Sequence, residues 1–323
     1  MAAGKSSRVN CKYKTKYRIR NWRAYERGLK NRGDLTIWLS QEATTAWTPP
    51  KNGLRGGQRR YSNLAILTAL TLRVLFRLPL RQTEGFLDSL LRLMGLGLKA
   101  PDHTILSRRN QSVEVPPLTR VHGGPIDLIV DSTGLKILGS GEWNVHKYKA
   151  SKKRRGWRKL HIGVDDEGFI VAAKLTASSR DDASTLPDLL DQIEAPIHRF
   201  TADGAYDRRS TYDQVGAAGT EDVVIVIPPR RSAGSSKSAN GPWAQREVAL
   251  QRIRQVGRRE WQNESGYRQQ ARVENGFFRY KSVLGSSLKA RNGIAQTREA
   301  MIGCRILNRM VELGRPESYA VVS

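Results

Sequence analysis

The sequence predicts a mixed α/β chain in which a short helical region precedes a mixed sheet with flanking helices. Three observations predict it. Apolar residues recur at helical intervals between Ser62 and Arg109, and short apolar runs bounded by polar or turn residues dominate between Ile126 and Ile227. Helical spacing then returns from Ser265 to Leu313. The chain has 323 residues, enough to bury a substantial core. Its punctuation divides it into a basic arm with short elements (1–60), a helical region (61–120) and a sheet-containing region (121–323) with an insertion around 228–265.

The first 20 residues are basic and poorly patterned, and read as a mobile arm. Asn21 to Lys30 predicts a short helix with Asn21 as its cap, and Gly33-Asp34 turns into Leu35–Leu39, which suits a strand or a short buried helix. Pro49-Pro50 breaks the chain. Leu64, Leu67, Leu70, Val74 and Leu75 mark a helix over Ser62–Leu75, and Thr83–Met94 gives a second that Gly95 ends. Asp102 caps a third that runs past Arg108 and Arg109. Helices with basic exposed faces suit a DNA-binding module of helix-turn-helix type; a helical dimerisation or packing domain fits the same pattern.

After Pro116-Pro117 come three consecutive strands, at Ile126–Val130, Lys159–Val164 and Phe169–Leu175. A helix from Asp181 to Ile193 follows, then strands around Phe200 and at Val223–Ile227. This order is that of a ribonuclease-H-like α/β domain. Arg230–Pro242 reads as a loop, and Ser265–Val283 and Ile294–Leu313 as the closing helices.

The net charge is +25, from 55 Lys and Arg against 30 Asp and Glu. It favours a polyanionic partner. Segment by segment it runs +12 over 1–60, +4 over 61–120, +6 over 121–160, −7 over 161–230 and +10 over 231–323. An acidic middle in a basic chain would repel phosphates unless a cation intervened, which points to metal chemistry. Cys11 and Cys304 have no second thiol or histidine at ligand spacing, so neither a zinc site nor a disulfide framework is expected. The most apolar stretch, Tyr61–Leu80, is broken by Arg73, Arg77 and Pro79, so no membrane span and a cytoplasmic, nucleoid-associated protein are expected.

Asp131 follows the apolar run that ends at Val130, and Asp203 follows Phe200-Thr-Ala with small neighbours on its other side. Both are expected at strand ends, open to a ligand. Glu274 lies on a candidate helix among basic residues. Hard oxygen donors from three separate segments suit divalent cations that activate a water or a hydroxyl and stabilise a leaving oxygen. Taken singly, an Asp after a strand is more often a turn or cap residue, and a Glu beside arginines a surface ion pair. Asp127, Asp165 and Asp207 are rivals, Asp165 being the clearest turn residue. The set carries the case.

Those residues resemble the DDE transposases of bacterial insertion sequences, most closely the insertion-sequence-five family. The resemblance rests on Val-Asp-Ser-Thr-Gly around Asp131, Thr-Ala-Asp-Gly-Ala-Tyr-Asp around Asp203, and the block from Tyr267 to Lys281 around Glu274. That block follows the pattern Y-(2)-R-(3)-E-(6)-K, except that the arginine position is Gln270, flanked by Arg268 and Arg272. Arg-Gly-Asp-Leu-Thr-Ile-Trp-Leu from Arg32 and Pro-Asp-His-Thr-Ile-Leu-Ser-Arg-Arg from Pro101 extend it over nearly the whole chain.

The resemblance implies an enzyme that binds terminal inverted repeats, cleaves element ends and transfers 3′ ends to target DNA. Asp131, Asp203 and Glu274 would bind two Mg²⁺, with Mn²⁺ as a substitute, while Tyr267 and Lys281 position DNA near the cut bond. Arg268 and Arg272 would hold backbone phosphate. A homodimer or higher assembly on double-stranded DNA is implied, since two ends are joined. Between the first two strands lie eight cationic side chains, among them Lys152, Lys153, Arg154, Arg155 and Arg158, with Tyr148 and Trp157 interleaved. These suit phosphate tracking and base stacking, with a solvated hairpin as the lesser alternative. Arg108 and Arg109 are further DNA candidates. His161, Trp143 and Trp261 read as packed residues. A nuclease of the same fold without strand transfer, and a DNA-binding regulator on the same scaffold, are the alternatives.

Overall fold

A computed structural model of the chain describes residues 16–51, 53, 56–118, 120, 122–138, 156–235 and 240–321. Lys152, Lys153, Arg154 and Arg155, with Trp143 and Tyr148, lie outside the described residues.

The two ends of the chain meet. β1 (Lys16–Ile19) pairs antiparallel with β8 (Ser318–Val321), so residues 16–19 are strand rather than mobile arm. Asn21 does not cap α1 (Trp22–Asn31); its amide donates to the Arg315 carbonyl and accepts from the Glu317 amide, both at 2.9 Å. Gly28 sits against the Leu313 backbone, where any Cβ would collide with the carbonyl oxygen. Residues 35–39 resolve the open choice as helix: Asp34 accepts from the Thr36 amide and starts α2 (Leu35–Trp38). After α3 (Gln41–Thr45), Ser62 caps α4 (Asn63–Leu75) through Ala65. α5 (Leu80–Leu93) begins three residues before the expected Thr83, because Pro79 presets the entry, and Asp102 caps α6 (His103–Arg109).

β2 (Ile126–Ile137) is far longer than its apolar run. β3 (Trp157–Val164) pairs with it antiparallel from Ile129↔Val164 to Lys136↔Trp157, and this ladder carries β2 through the polar residues. β4 (Ile170–Ala177) adds to β3. A 3₁₀ turn and α7 (Leu186–Leu190) replace the single helix expected over 181–193. β5 (Ile197–Ala202), α8 (Arg209–Ala218) and β6 (Gly219–Val226) follow, with β5 parallel to both β2 and β6. The sheet order is β4-β3-β2-β5-β6, three antiparallel strands continued by two parallel ones. The insertion folds as α9 (Ala244–Val256) and α10 (Arg258–Glu264), hinged at Gly257 with φ +85°. α11 (Ala271–Val283), β7 (Ser287–Leu288) and α12 (Gly293–Glu312) complete the chain, β7 pairing with the far end of β2.

Strand alternation sorts the core into two clusters. Ile129, Leu135, Leu160 and Ile162 face one side and pack with α4, α5, α6, α11 and α12. Leu128, Val130, Phe200 and Ala202 face the other with α7 and α8. The helices of residues 61–120 thus share a core with one face of the sheet. Among the described residues no single helix is long and apolar enough to cross a membrane; α4 and α5 meet at 111°.

Candidate active site

The last parallel pair between β2 and β5 is Val130↔Ala202. Asp131 therefore takes the next position on β2, and Asp203 the first position past the end of β5. Asp131 was expected at a strand end, but it lies mid-strand. The end is that of its neighbour: β5 stops at Ala202, and β2 regains a partner on that side only at Lys136↔Ser287. Residues 131–135 thus border a notch in the sheet. Asp131 accepts from the Ser132 amide at 2.7 Å, and Asp203 accepts from Ala205 at 2.9 Å to start the 3₁₀ turn Gly204–Tyr206. Neither has a cationic partner within ion-pair distance among the described residues.

α11 packs against β2 and β3 and sets the third carboxylate. Val273, Phe277 and Tyr280 bury its inner face, which leaves Glu274 exposed. Lys281, two turns on, donates from Nζ to Thr133 Oγ1 at 2.6 Å, two residues past Asp131. The turn before α11 holds Tyr267, half-buried, and Gln270, buried. Gln270 donates from Nε2 to the Val130 carbonyl at 3.3 Å, and its Oε1 has no partner. At the pattern's arginine position, the chain has an amide that pins the backbone just before Asp131. Arg268 and Arg272 are exposed on either side.

The carboxylates share one field. Burial, opposed by the Ser132 hydrogen bond, pushes Asp131 up to about 6, and Asp203, Asp182 and Glu274 push it further the same way. Burial also raises Asp203, with Asp182 as the leading like charge. Tyr267 is pushed up to about 12 by burial and then by Asp203, Asp131 and Glu274, so its hydroxyl keeps its proton. Among the described residues, no three His, Cys, Asp or Glu side chains are close enough to hold one ion.

Sequence reasoning missed Asp182. Its field reaches Asp131, Asp203 and the buried, unpartnered Tyr206 hydroxyl. Lys159 Nζ donates to both Asp182 oxygens at 3.2 and 3.3 Å. The available signal was an Asp181-Asp182 pair after a strand, which also describes a helix cap. His161 is packed as expected: it is fully buried, bonded to Thr176 Oγ1 at 2.9 Å, and pushed down to about 4 by burial.

The other candidates divide. Trp157 is 40% exposed, its ring lying over Gly134, and Arg158 donates from Nε to Gln296 at 2.9 Å. Arg108 is exposed, whereas Arg109 is spent inside the helical region on the Tyr61 carbonyl and Asn63. Trp261 is buried as expected. Of the rivals, Asp127 pairs with His198 at 3.0 Å, and Asp165 and Asp207 are buried and paired.

The sequence matches two family models, each described as a transposase DDE domain, over residues 30–140 and 122–309. The second spans more than half of the chain. Among solved structures, the chain is similar to a piggyBac transposase in a synaptic complex with hairpin DNA, at 11% identity and a TM-score of 0.39, over 87% of this chain and 73% of that one.

Proposed function

The chain belongs to the DDE transposase family, and from that premise we propose that it is the transposase of a bacterial insertion sequence, closest to the insertion-sequence-five group. It binds the terminal inverted repeats of its element, cleaves at their ends and joins the 3′ ends to target DNA. The sheet order supports a ribonuclease-H-like catalytic domain. The observation that carries the reading is that Asp131 and Asp203 each follow directly on the last parallel pair of β2 and β5, Val130↔Ala202, with Glu274 in the same field.

DDE transposases use divalent metal ions. The donors have the right chemistry for them: hard carboxylate oxygens, with Asp131 raised chiefly by burial and then by Asp203, Asp182 and Glu274, and with no cation at ion-pair distance from Asp131 or Asp203 among the described residues. Asp131, Asp203 and Glu274 would hold two Mg²⁺, or Mn²⁺ in their place, which when bound activate the attacking oxygen and stabilise the leaving one. The protein's own groups do the rest. Tyr267, protonated, donates a hydrogen bond to a phosphate oxygen. Lys281, held toward β2 by Thr133, places its charge by the strand end. Arg268, Arg272 and Arg158 neutralise backbone phosphates, joined by Lys152, Lys153, Arg154 and Arg155; Trp157 offers a stacking face, and exposed Arg108 serves the helical region's contact with DNA, whereas Arg109 is committed to Tyr61 and Asn63. Two chains bring two ends together.

Asp131→Ala abolishes cleavage of a duplex carrying the element end in Mg²⁺ while leaving end binding in place. Retained cleavage would overturn the assignment. Joined products in a plasmid assay separate a transposase from a nuclease that only cuts.

A further inference from the structure

We propose that a groove between α5, α6 and the start of α12 is a second phosphate-binding site, which grips the DNA backbone away from the cut end. It rests on the transposase reading above. The groove encloses about 570 Å³, and its lining includes Arg73, Arg81, Arg291, His103, Thr104 and Asn292 but neither Asp nor Glu.

Three acids bonded to lining residues are already satisfied. Asp102 accepts from the Thr104 and Ile105 amides at 2.8 and 2.9 Å. Glu84 accepts from the His103 amide and ring at 2.9 and 2.8 Å. Glu299 takes the Lys289 and Ala290 amides at 2.8 Å and pairs with Arg73 at 3.4 Å. Arg73 is only 5% exposed, and its Nε has no partner. Arg81 and Arg291 are exposed, and their guanidinium groups make no ion pair or hydrogen bond among the described residues. They stand as unspent charge.

The backbone adds to this. Pro79 precedes the 14-residue α5 and offers no side chain to cap it, and no acid occupies the first turn. The amides of the first turn, from Leu80, Arg81 and Gln82, are left without a side-chain acceptor where these residues line the groove. An anion with several acceptor oxygens meets both needs, and a guanidinium matches phosphate geometry.

The neighbouring surface says why the anion belongs to a polymer. Gly293, in the first turn of α12, lies beside the Arg158 guanidinium, so Arg81, Arg291 and Arg158 mark a path from the groove to the catalytic strands. A duplex whose end sits in the notch has backbone to lay along it. Within the helical region, this assigns the main contact to Arg81 and Arg291 rather than to Arg109, which is spent on Tyr61 and Asn63.

The test is the salt dependence of binding to an end-containing duplex by the full chain without divalent metal, so that no cleavage is needed. Each phosphate contact contributes about 0.9 to the slope of log K against log salt. Arg81→Ala with Arg291→Ala lowers the slope by about 2, and Gln82→Glu, which removes no cation, weakens binding at low salt. Arg92→Ala, at the other end of α5, leaves the slope unchanged. An unchanged slope in the double variant, with the wild-type melting temperature, would overturn the groove while leaving the proposed function standing. Wild-type chain that shows no salt-dependent DNA binding would overturn both. Inorganic phosphate that protects the wild type from thermal unfolding, combined with an unchanged slope, would assign the groove to a small anion instead.

Discussion

Asp165 and Asp207 differ from Asp131 and Asp203 in what surrounds them, although Asp131, Asp165 and Asp203 all follow apolar strand segments and Asp207 closes the turn that Asp203 starts. Asp165 is fully buried and accepts from the Glu167 and Phe169 amides at 2.9 Å, from Arg120 at 3.1 Å and from His122 at 3.3 Å. Asp207 holds buried Arg246 at 2.8 Å and accepts from the Arg230 amide at 2.9 Å. Asp131 and Asp203 have one local amide each and no cation. The first pair spends its charge on the fold. The second has no such partner among the described residues, and its buried charge costs stability that the first pair does not lose.

The largest effect is on rate. Asp203→Asn lowers end cleavage by on the order of 10⁴-fold, as removal of a residue from a catalytic set does, and leaves the melting temperature nearly unchanged. Next comes stability in the opposite pair. Asp207→Ala removes one of the two carboxylates that pair with buried Arg246, leaving Glu247 at 2.9 Å, and destabilises the fold by about 1.5–3 kcal/mol, measured by urea unfolding. Little loss there would erase the distinction between the pairs.

Asp131→Asn has an effect of the other sign. The folded carboxyl titrates near 6 against an ordinary value of 3.8, so its ionisation opposes folding. That penalty is absent below about pH 4, grows as the pH rises through 6 and is constant above. Without divalent metal, Asp131→Asn is therefore more stable than wild type at pH 7, by at most about 3 kcal/mol, and equal to it at pH 3.5. Unfolding titrations at the two pH values check this. The smallest effect tests the like charge beside the second pair: Asp182→Asn removes it and moves the Asp131 titration to lower pH, read by carboxyl NMR shifts.

Much of this contrast was legible in the sequence. Val-Asp-Ser-Thr-Gly and Thr-Ala-Asp-Gly-Ala marked Asp131 and Asp203 because small neighbours after an apolar run announce an open strand end, and Asp165 read as a turn residue. What local pattern does not carry was missed. The continuation of β2 through Ser132–Ile137 depends on β3, a partner chosen by tertiary pairing. Asp182 looks like a cap until Lys159 and the neighbouring strands place it beside the site. β1 and β8 pair from opposite ends of the chain, and neither is apolar enough to announce itself. α9 buries Leu250 beside the charged Arg246 and Glu247, and α10 buries Trp261 alone, so neither shows a plain apolar stripe. Gln270 read as a missing arginine; its role in pinning Val130 follows only from burial.

The central claim is that Asp131, Asp203 and Glu274 keep their charge for divalent cations. Titration of the full chain with Mn²⁺, followed by loss of the free-ion electron paramagnetic resonance signal, tests it most directly. The expected result is saturable binding by wild type that is weakened at least tenfold by Asp131→Asn, Asp203→Asn or Glu274→Gln. Asp127→Asn, which removes a carboxylate already paired with His198, leaves it unchanged. Equal Mn²⁺ binding by wild type and the three site variants would contradict the account.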